Sequence, residues 1–353
     1  MSNTIHVIAP CPPPITGMTI ATQAVVDSLG SGARIYAFSR TENLSPWKWS
    51  ILRQLKIFIL TIKAALRSRG RDNIYLVPSS SNAGLFFDLI RALLLRFAFK
   101  RIWLHHHVSS YCNETNVLLL LTLWVLSPKA RHVVLDATMA AKLEAHYGAE
   151  YFFTLNNASL IAAPPSMPAA AKEHLTIGFI GNLPRQKGLI DALSLMETAS
   201  TLSDRFRFTI AGPLVDPALS KHLTKFVSQA PLHRQYNGAI GGAEKQAFFN
   251  DVDVLLFPTQ YKNEAQPLTI YEGMSYGCAV LATNLGGIGE QLAGLGTCFE
   301  PEHYLEQCVE LVRAWGDEPQ KLEAAQRAAW HQFSEHKRMA DRQLSRLGDV
   351  LCS

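Results

Sequence analysis

Short apolar runs alternate along the chain with longer stretches in which apolar residues recur every three or four positions. That alternation predicts strands at residues 5–9, 74–77, 101–105 and 132–135, then at 176–180, 206–211, 254–257 and 279–282, with helices between them. Strands apolar on both faces and separated by helices are the pattern of a parallel sheet covered on both sides. The two series predict two doubly wound α/β domains. Between them, residues 156–175 are rich in Ala and Pro, lack periodicity, and are read as a linker. The first domain then spans residues 1–165 and the second 166–334. A helix-forming tail runs from residue 304 to 351, and its last part, about 335–353, is long enough to cross back onto the first domain.

Composition narrows the class. With 353 residues, 48% apolar and 18% charged, the chain exceeds one ordinary core and is neither disordered nor a nucleic-acid arm. The six cysteines are scattered with no CxxC spacing, so neither a zinc site nor a disulfide framework is expected, and reduced, cytosolic thiols are the default. The start MSNTIHVIAP has no basic segment followed by a long apolar one, so no secretory signal is read there. The apolar stretch 117–126 would span about 15 Å as a helix, half of a bilayer core.

Charge changes the picture once it is split along the chain. Residues 1–165 hold 16 Lys/Arg and 8 Asp/Glu, net +8, whereas the remainder holds 17 and 21, net −4. Such asymmetry points the first half toward an anionic surface or ligand. Residues 48–71 carry seven Lys/Arg and no acid, next to Trp47 and including Trp49. On a helical wheel Ile51, Leu55, Phe58 and Ile62 form a stripe expected in the core, while Lys56, Lys63 and Arg67 gather on another side. A second basic group is Arg91, Arg96, Lys100 and Arg101. Anionic lipid headgroups suit this charge better than nucleic acid, because few aromatics interleave it and no nucleic-acid module is present. The expected location is cytoplasmic, peripheral at the inner face of the membrane.

Ligands of open parallel sheets bind beyond the carboxyl ends of the strands, so the loops there carry the candidate chemistry. After Gly181 the chain reads NLPRQKG and enters a helix at 189–200. Arg185 and Lys187 would sit at that helix N-terminus, where two cations and free amides suit a diphosphate. With neither a Walker motif nor GxGxxG, a solvated basic loop is the competing reading. Further on, Glu264 and Glu272 lie eight residues apart in NEAQPLTIYEGMSYG, with Pro267 at a helix start between them. Two helical turns, about 12 Å, are too far for a proton-sharing pair and suit two parts of one extended ligand. The alternative is a cap and an exposed helical residue. The strand 101–105 runs into His105, His106 and His107; alternation puts His105 and His107 on one face, so the three cannot converge on a metal from one extended strand.

These segments together resemble glycosyltransferase family 4. The resemblance rests on the E-x7-E pair Glu264 and Glu272, the trailing ATNLGGIGE and the loop GNLPRQKG, in order, and is clearest from residue 177 to 292. It implies the GT-B architecture, two Rossmann-like domains facing across a cleft. It also implies a retaining, metal-independent hexosyltransferase that uses no cofactor beyond its donor substrate, a UDP- or GDP-sugar. Carried over by position, Lys187 and Arg185 would neutralise the donor diphosphate, Glu272 would accept ribose hydroxyls and Glu264 hydroxyls of the transferred sugar. Gly181, Asn182, Gln266, Pro267 and Leu268 would line the donor site, Gly17 would let backbone approach the donor phosphate, and His107 would stand beside the transferred sugar. Two departures are visible: the family often has Arg where Asn182 stands, and a glycine pair where only Gly17 is present.

The activity so implied is transfer of a hexosyl unit to a lipid-linked or other saccharide acceptor in bacterial cell-surface polysaccharide synthesis, as for O-antigen, capsule or exopolysaccharide. A sugar-nucleotide epimerase of GT-B architecture and a non-catalytic, nucleotide-sugar-binding partner subunit are the alternatives.

Overall fold

The computed structural model describes residues 4–40, 45–162, 164, 167, 172–182, 185–214 and 216–353. Leu183 and Pro184 of the basic loop, and residues 163, 165–166 and 168–171 of the expected linker, lie outside them. Two units separate by contact: Met1–Leu160 with Arg338–Ser353, and Ile161–Lys337.

The first unit alternates β1 (Ile5–Pro10), α1 (Gly17–Ser28), β2 (Ala33–Phe38), α2 (Pro46–Arg67), β3 (Asn73–Leu76), α3 (Asn82–Ala98) and β4 (Arg101–His105). It continues through a single turn α4 (Ser110–Asn113), α5 (Val117–Leu126), β5 (Ala130–Val134), α6 (Ala137–Tyr147) and β6 (Phe152–Thr154). Its sheet has the order β2-β1-β3-β4-β5-β6, with every pairing parallel. Side chains alternate across it. Ile5, Val7, Tyr75, Trp103 and Val133 pack with Val25 of α1 and with Leu347 and Leu351 near the chain end. Ile8, Leu76 and Leu104 face α2, α3 and α5 on the opposite side. Helix starts are fixed locally: Thr16 and Thr19 form a reciprocal capping pair on α1, and Ser81, Asn116 and Asp136 cap α3, α5 and α6.

The second unit runs β7 (Leu175–Ile180), α7 (Leu189–Ser200), β8 (Phe206–Ala211), α8 (Pro217–Gln229), β9 (Arg234–Tyr236), α9 (Gly242–Asp251) and β10 (Val254–Phe257). Then follow α10 (Leu268–Ser275), β11 (Ala279–Thr283), a short α11 (Ile288–Gln291), β12 (Cys298–Phe299), α12 (Tyr304–Asp317) and α13 (Pro319–Cys352). The sheet order is β12-β11-β10-β7-β8-β9, again all parallel. Its core joins Ile177, Phe179, Ile210 and Leu256 to α7 and to Trp315 of α12. Pro319 divides the helical tail into α12 and α13, since proline is accommodated in a first turn but not within a helix. By contact, α13 belongs to the second unit up to Lys337 and to the first from Arg338.

Two expectations are corrected. The stripe of α2 assigned to the core is turned out: Ile51, Leu55 and Ile62 are exposed and Phe58 is half-buried, while Gln54, Thr61 and Ala64 are buried. Apolar periodicity located the helix but mistook its faces, because a small residue and a threonine, whose hydroxyl bonds the Ile57 carbonyl at 2.7 Å, form the packed side. In the second basic group, Arg91 is buried against Asp88 within α3 and presents no surface charge.

Leu347→Ala should lower stability by about 2–5 kcal/mol, the usual cost of a buried leucine. Urea unfolding measures it; an unchanged midpoint would show that the end of α13 does not help hold the first sheet.

Candidate functional site

Strand order in the second sheet reverses at β7: the chain leaves it toward β8 on one side, and β10 with β11 fills the other. Such a reversal opens a crevice at the strand ends, where neighbouring loops diverge onto opposite sheet faces. The loops after β7 and β10 meet here. Gln260 N donates to Gln186 O at 2.8 Å, and the Gln260 side chain reaches Asp191 at 2.7 Å. Gly188 has φ +80°, and a Cβ on it would lie 1.8 Å from the Pro258 carbonyl oxygen, so only glycine permits this closure. One strand over, Gly212 presses against the Gly181 carbonyl, where a Cβ would lie 1.7 Å away, while Gly181 itself faces open space.

Charge converges on this closure. Lys187, at the end of a single 3-10 turn (Arg185–Lys187) before α7, forms an ion pair with Glu264 from the β10 loop. Its ammonium also lies 5.0 Å from the Tyr261 ring centre, and Thr259 donates to the same Glu264 oxygen at 3.4 Å. Glu264 and Gln266 are buried, whereas Asn182 and Arg185 are exposed. The β11 loop braces the segment from behind: Thr283 Oγ1 donates to Thr259 O at 2.6 Å, Gly287 N to Ala265 O at 2.8 Å, and Gln291 Nε2 to Pro267 O at 3.0 Å.

Pro267 is the N-cap of α10, Leu268 its first residue, and Glu272 lies on its second turn. Gly273 lets that helix close on β10, since a Cβ there would meet Leu255 at 2.6 Å. Glu272 Oε1 pairs with Lys245 of α9 at 2.6 Å, and its Oε2 is buried without a hydrogen-bond partner. Lys245 was not among the sequence candidates; 27 positions from Glu272, it carries no motif that links the two. Lys187 and Glu264 are thus brought into contact, while Glu272 is held in a separate ion pair.

In the first unit, Gly17 opens α1 just after β1, and His107 lies just beyond β4. The His105 and His107 ring centres lie 3.9 Å apart with the planes tilted by 41°, on one face as alternation places them. His105 Nδ1 contacts Tyr75 Oη at 2.5 Å; on the other face His106 joins Tyr111 at 3.1 Å and His132 at 2.9 Å. His132 also escaped the sequence reading, being a lone histidine inside a strand. Burial lowers the pKa of all four: His107 and His132 to about 4, His105 and His106 well below the ordinary value, helped in the last two by neighbouring imidazoles.

With this geometry the two sheets match known two-domain Rossmann-like glycosyltransferases of the GT-B class. Residues 167–332 match the family model "Glycosyl transferases group 1". Among solved structures, sucrose-phosphate synthase from Thermosynechococcus elongatus aligns at 14% identity and TM-score 0.73, covering 99% of both chains. HepE from Anabaena, in complex with UDP, aligns at 13% identity and TM-score 0.70 over 98% of this chain and 100% of that one. A glycosyltransferase from Rickettsia africae aligns at 15% and 0.63 over 99% and 98%. At these identities the likeness is one of fold. No curated protein sequence matches the chain. Among the described residues no helix is long and apolar enough to cross a membrane.

The histidine cluster makes stability depend on acidity. Unfolded imidazoles bind protons below about pH 6.5, whereas His107 and His132 stay neutral until about 4, so stability is full above 6.5 and lost on acidification through that window. Each histidine should contribute up to about 1.4 kcal/mol per pH unit. Urea midpoints at pH 7 and 5 test this; equal midpoints would contradict it.

Proposed function

We propose that the chain is a retaining, family 4-type glycosyltransferase that moves a hexosyl unit from a UDP- or GDP-sugar to a lipid-linked saccharide, in the synthesis of bacterial cell-surface polysaccharide at the inner face of the membrane. One observation carries the reading: within a group 1 glycosyl transferase domain, the strand-order reversal brings the cation Lys187 onto the buried carboxylate Glu264. HepE, which shares the fold, has been solved with UDP and with UDP-glucose. The acceptor assignment draws support from the basic first half of the chain.

In this reading the donor diphosphate competes with Glu264 for Lys187, and Arg185 adds a second cation to the same loop. Release of the ammonium frees Glu264 to accept hydroxyl hydrogen bonds from the transferred sugar. The buried, unpartnered Oε2 of Glu272 suits a ribose hydroxyl donor, with Lys245 orienting the carboxylate from its other oxygen. Gly17 and His107 keep the roles the family resemblance implies. In the reaction the anomeric C–O bond to the phosphate breaks, a bond to the acceptor oxygen forms on the same face, and the acceptor proton passes to the departing phosphate. Lys187, Arg185 and the N-terminus of α7 stabilise the charge that develops on that phosphate; no metal is invoked.

Lys187→Ala and Glu272→Ala should each weaken UDP-glucose or GDP-sugar binding by about 10-fold or more, as loss of a charged hydrogen bond implies. Calorimetry with a panel of sugar nucleotides reads this, and unchanged affinity in both variants for every donor that stabilises the wild type would sink the assignment. Formation of an epimer from the donor sugar with no acceptor present would point instead to an epimerase.

A further inference from the structure

We propose that the outer faces of α2, α3 and α5 form one surface that inserts into anionic lipid. The inference deepens the reading of a membrane-borne acceptor, yet it stands on features of the first unit alone and is measured without any transfer reaction.

The three helices lie side by side on one face of the first sheet, α3 packing against α2 on one flank and α5 on the other. Their inner sides are accounted for. Ile57, Thr61, Leu95 and Leu119 surround a narrow cavity of about 50 Å³ against Ile8 and Leu104 of the sheet.

The outer sides carry the signal. On α2, Leu52, Leu55, Ile59, Ile62 and Leu66 recur at three- and four-residue intervals and are all exposed. On α3 the exposed ridge is Phe86, Ile90, Leu93 and Phe97, at the same spacing. On α5 it is Val117, Leu120, Leu121 and Trp124. Leu66 is 82% exposed, Phe97 81% and Trp124 75%. Isolated apolar residues at a surface need no explanation, but three adjacent ridges at helical spacing mark an interaction surface. A helix apolar on its outer side as well as its inner one is built to be covered on both.

Charge decides what covers it. The three helices hold seven Lys/Arg and one acid, Asp88, which is itself paired with Arg91. On α2 the cations Lys56, Lys63 and Arg67 flank the apolar ridge along one side, and exposed Trp47 stands at its beginning. A second copy of this face would set like charge against like in a two-fold contact. An anionic bilayer offers the complement: acyl chains for the ridges, phosphates for the flanking cations and an interfacial level for the tryptophans.

The test is flotation of the full chain with vesicles of mixed phosphatidylglycerol and phosphatidylcholine, and of phosphatidylcholine alone. Wild type should float with the anionic vesicles and much less with the neutral ones. A triple variant, Leu66→Glu, Phe97→Glu and Trp124→Glu, changes one exposed residue on each helix and should partition at least about 10-fold more weakly. Its thermal unfolding and its stabilisation by the donor sugar nucleotide should match wild type, which separates failure of this surface from failure of the donor site. Three results overturn the proposal. The first is a wild type that ignores anionic vesicles. The second is a triple variant that floats as well as wild type. The third is a wild type whose self-association, and not its vesicle binding, the variant abolishes.

Discussion

The geometry of the candidate site depends on one closure: the backbone bond from Gln260 to Gln186, with the side-chain-free approach of Gly188 to the Pro258 carbonyl. Parallel sheets part their loops where strand order reverses, and a parted pair of loops has no inherent reason to stay at one separation. Here the two are tied by main-chain atoms, so the distance between the Lys187 and Glu264 backbones does not depend on the ion pair. The pair can open without the loops moving apart. Placing the cation and the acid on neighbouring strands rather than on one helix therefore allows charge rearrangement inside a fixed frame.

The sequence displayed the inner part of each sheet and concealed the rim. β1, β3, β4 and β5 in the first unit, and β7, β8, β10 and β11 in the second, follow the apolar runs closely. The four strands that went unread, β2, β6, β9 and β12, are the edges of the two sheets. An inner strand is covered on both faces and reads as a continuous apolar run, whereas β6 and β9 have three residues each, β12 two, and β2 is largely exposed. The candidate site divides in the same way. The basic loop before α7 and the acids around α10 are each local in sequence and were legible. Their partners Lys245 and His132 come from distant elements, so that no spacing announces them. The inverted faces of α2 show a further limit: periodicity reveals that one side of a helix is apolar, and leaves open whether a core or another medium receives it.

The two units bring different resources to one chain. The group 1 match lies within the second, where glycines fix loop geometry and Lys187 and Lys245 pair with Glu264 and Glu272. The first holds all of the net positive charge, the neutral histidine cluster and the exposed helical ridges. Shared fold at 13–15% identity is consistent with a scaffold held by apolar strand interiors while surfaces diverge.

The abutment of Gly212 on the Gly181 carbonyl has a bearing on selectivity. That patch of the crevice floor is bare main chain, the same whatever residues surround it, and it offers a guest only peptide dipoles. If the proposed sugar nucleotide binds here, discrimination between one nucleobase or sugar and another cannot be written there. It must be spelled by the side chains of the flanking loops, which leaves the floor as a common socket and the walls as the part free to diversify.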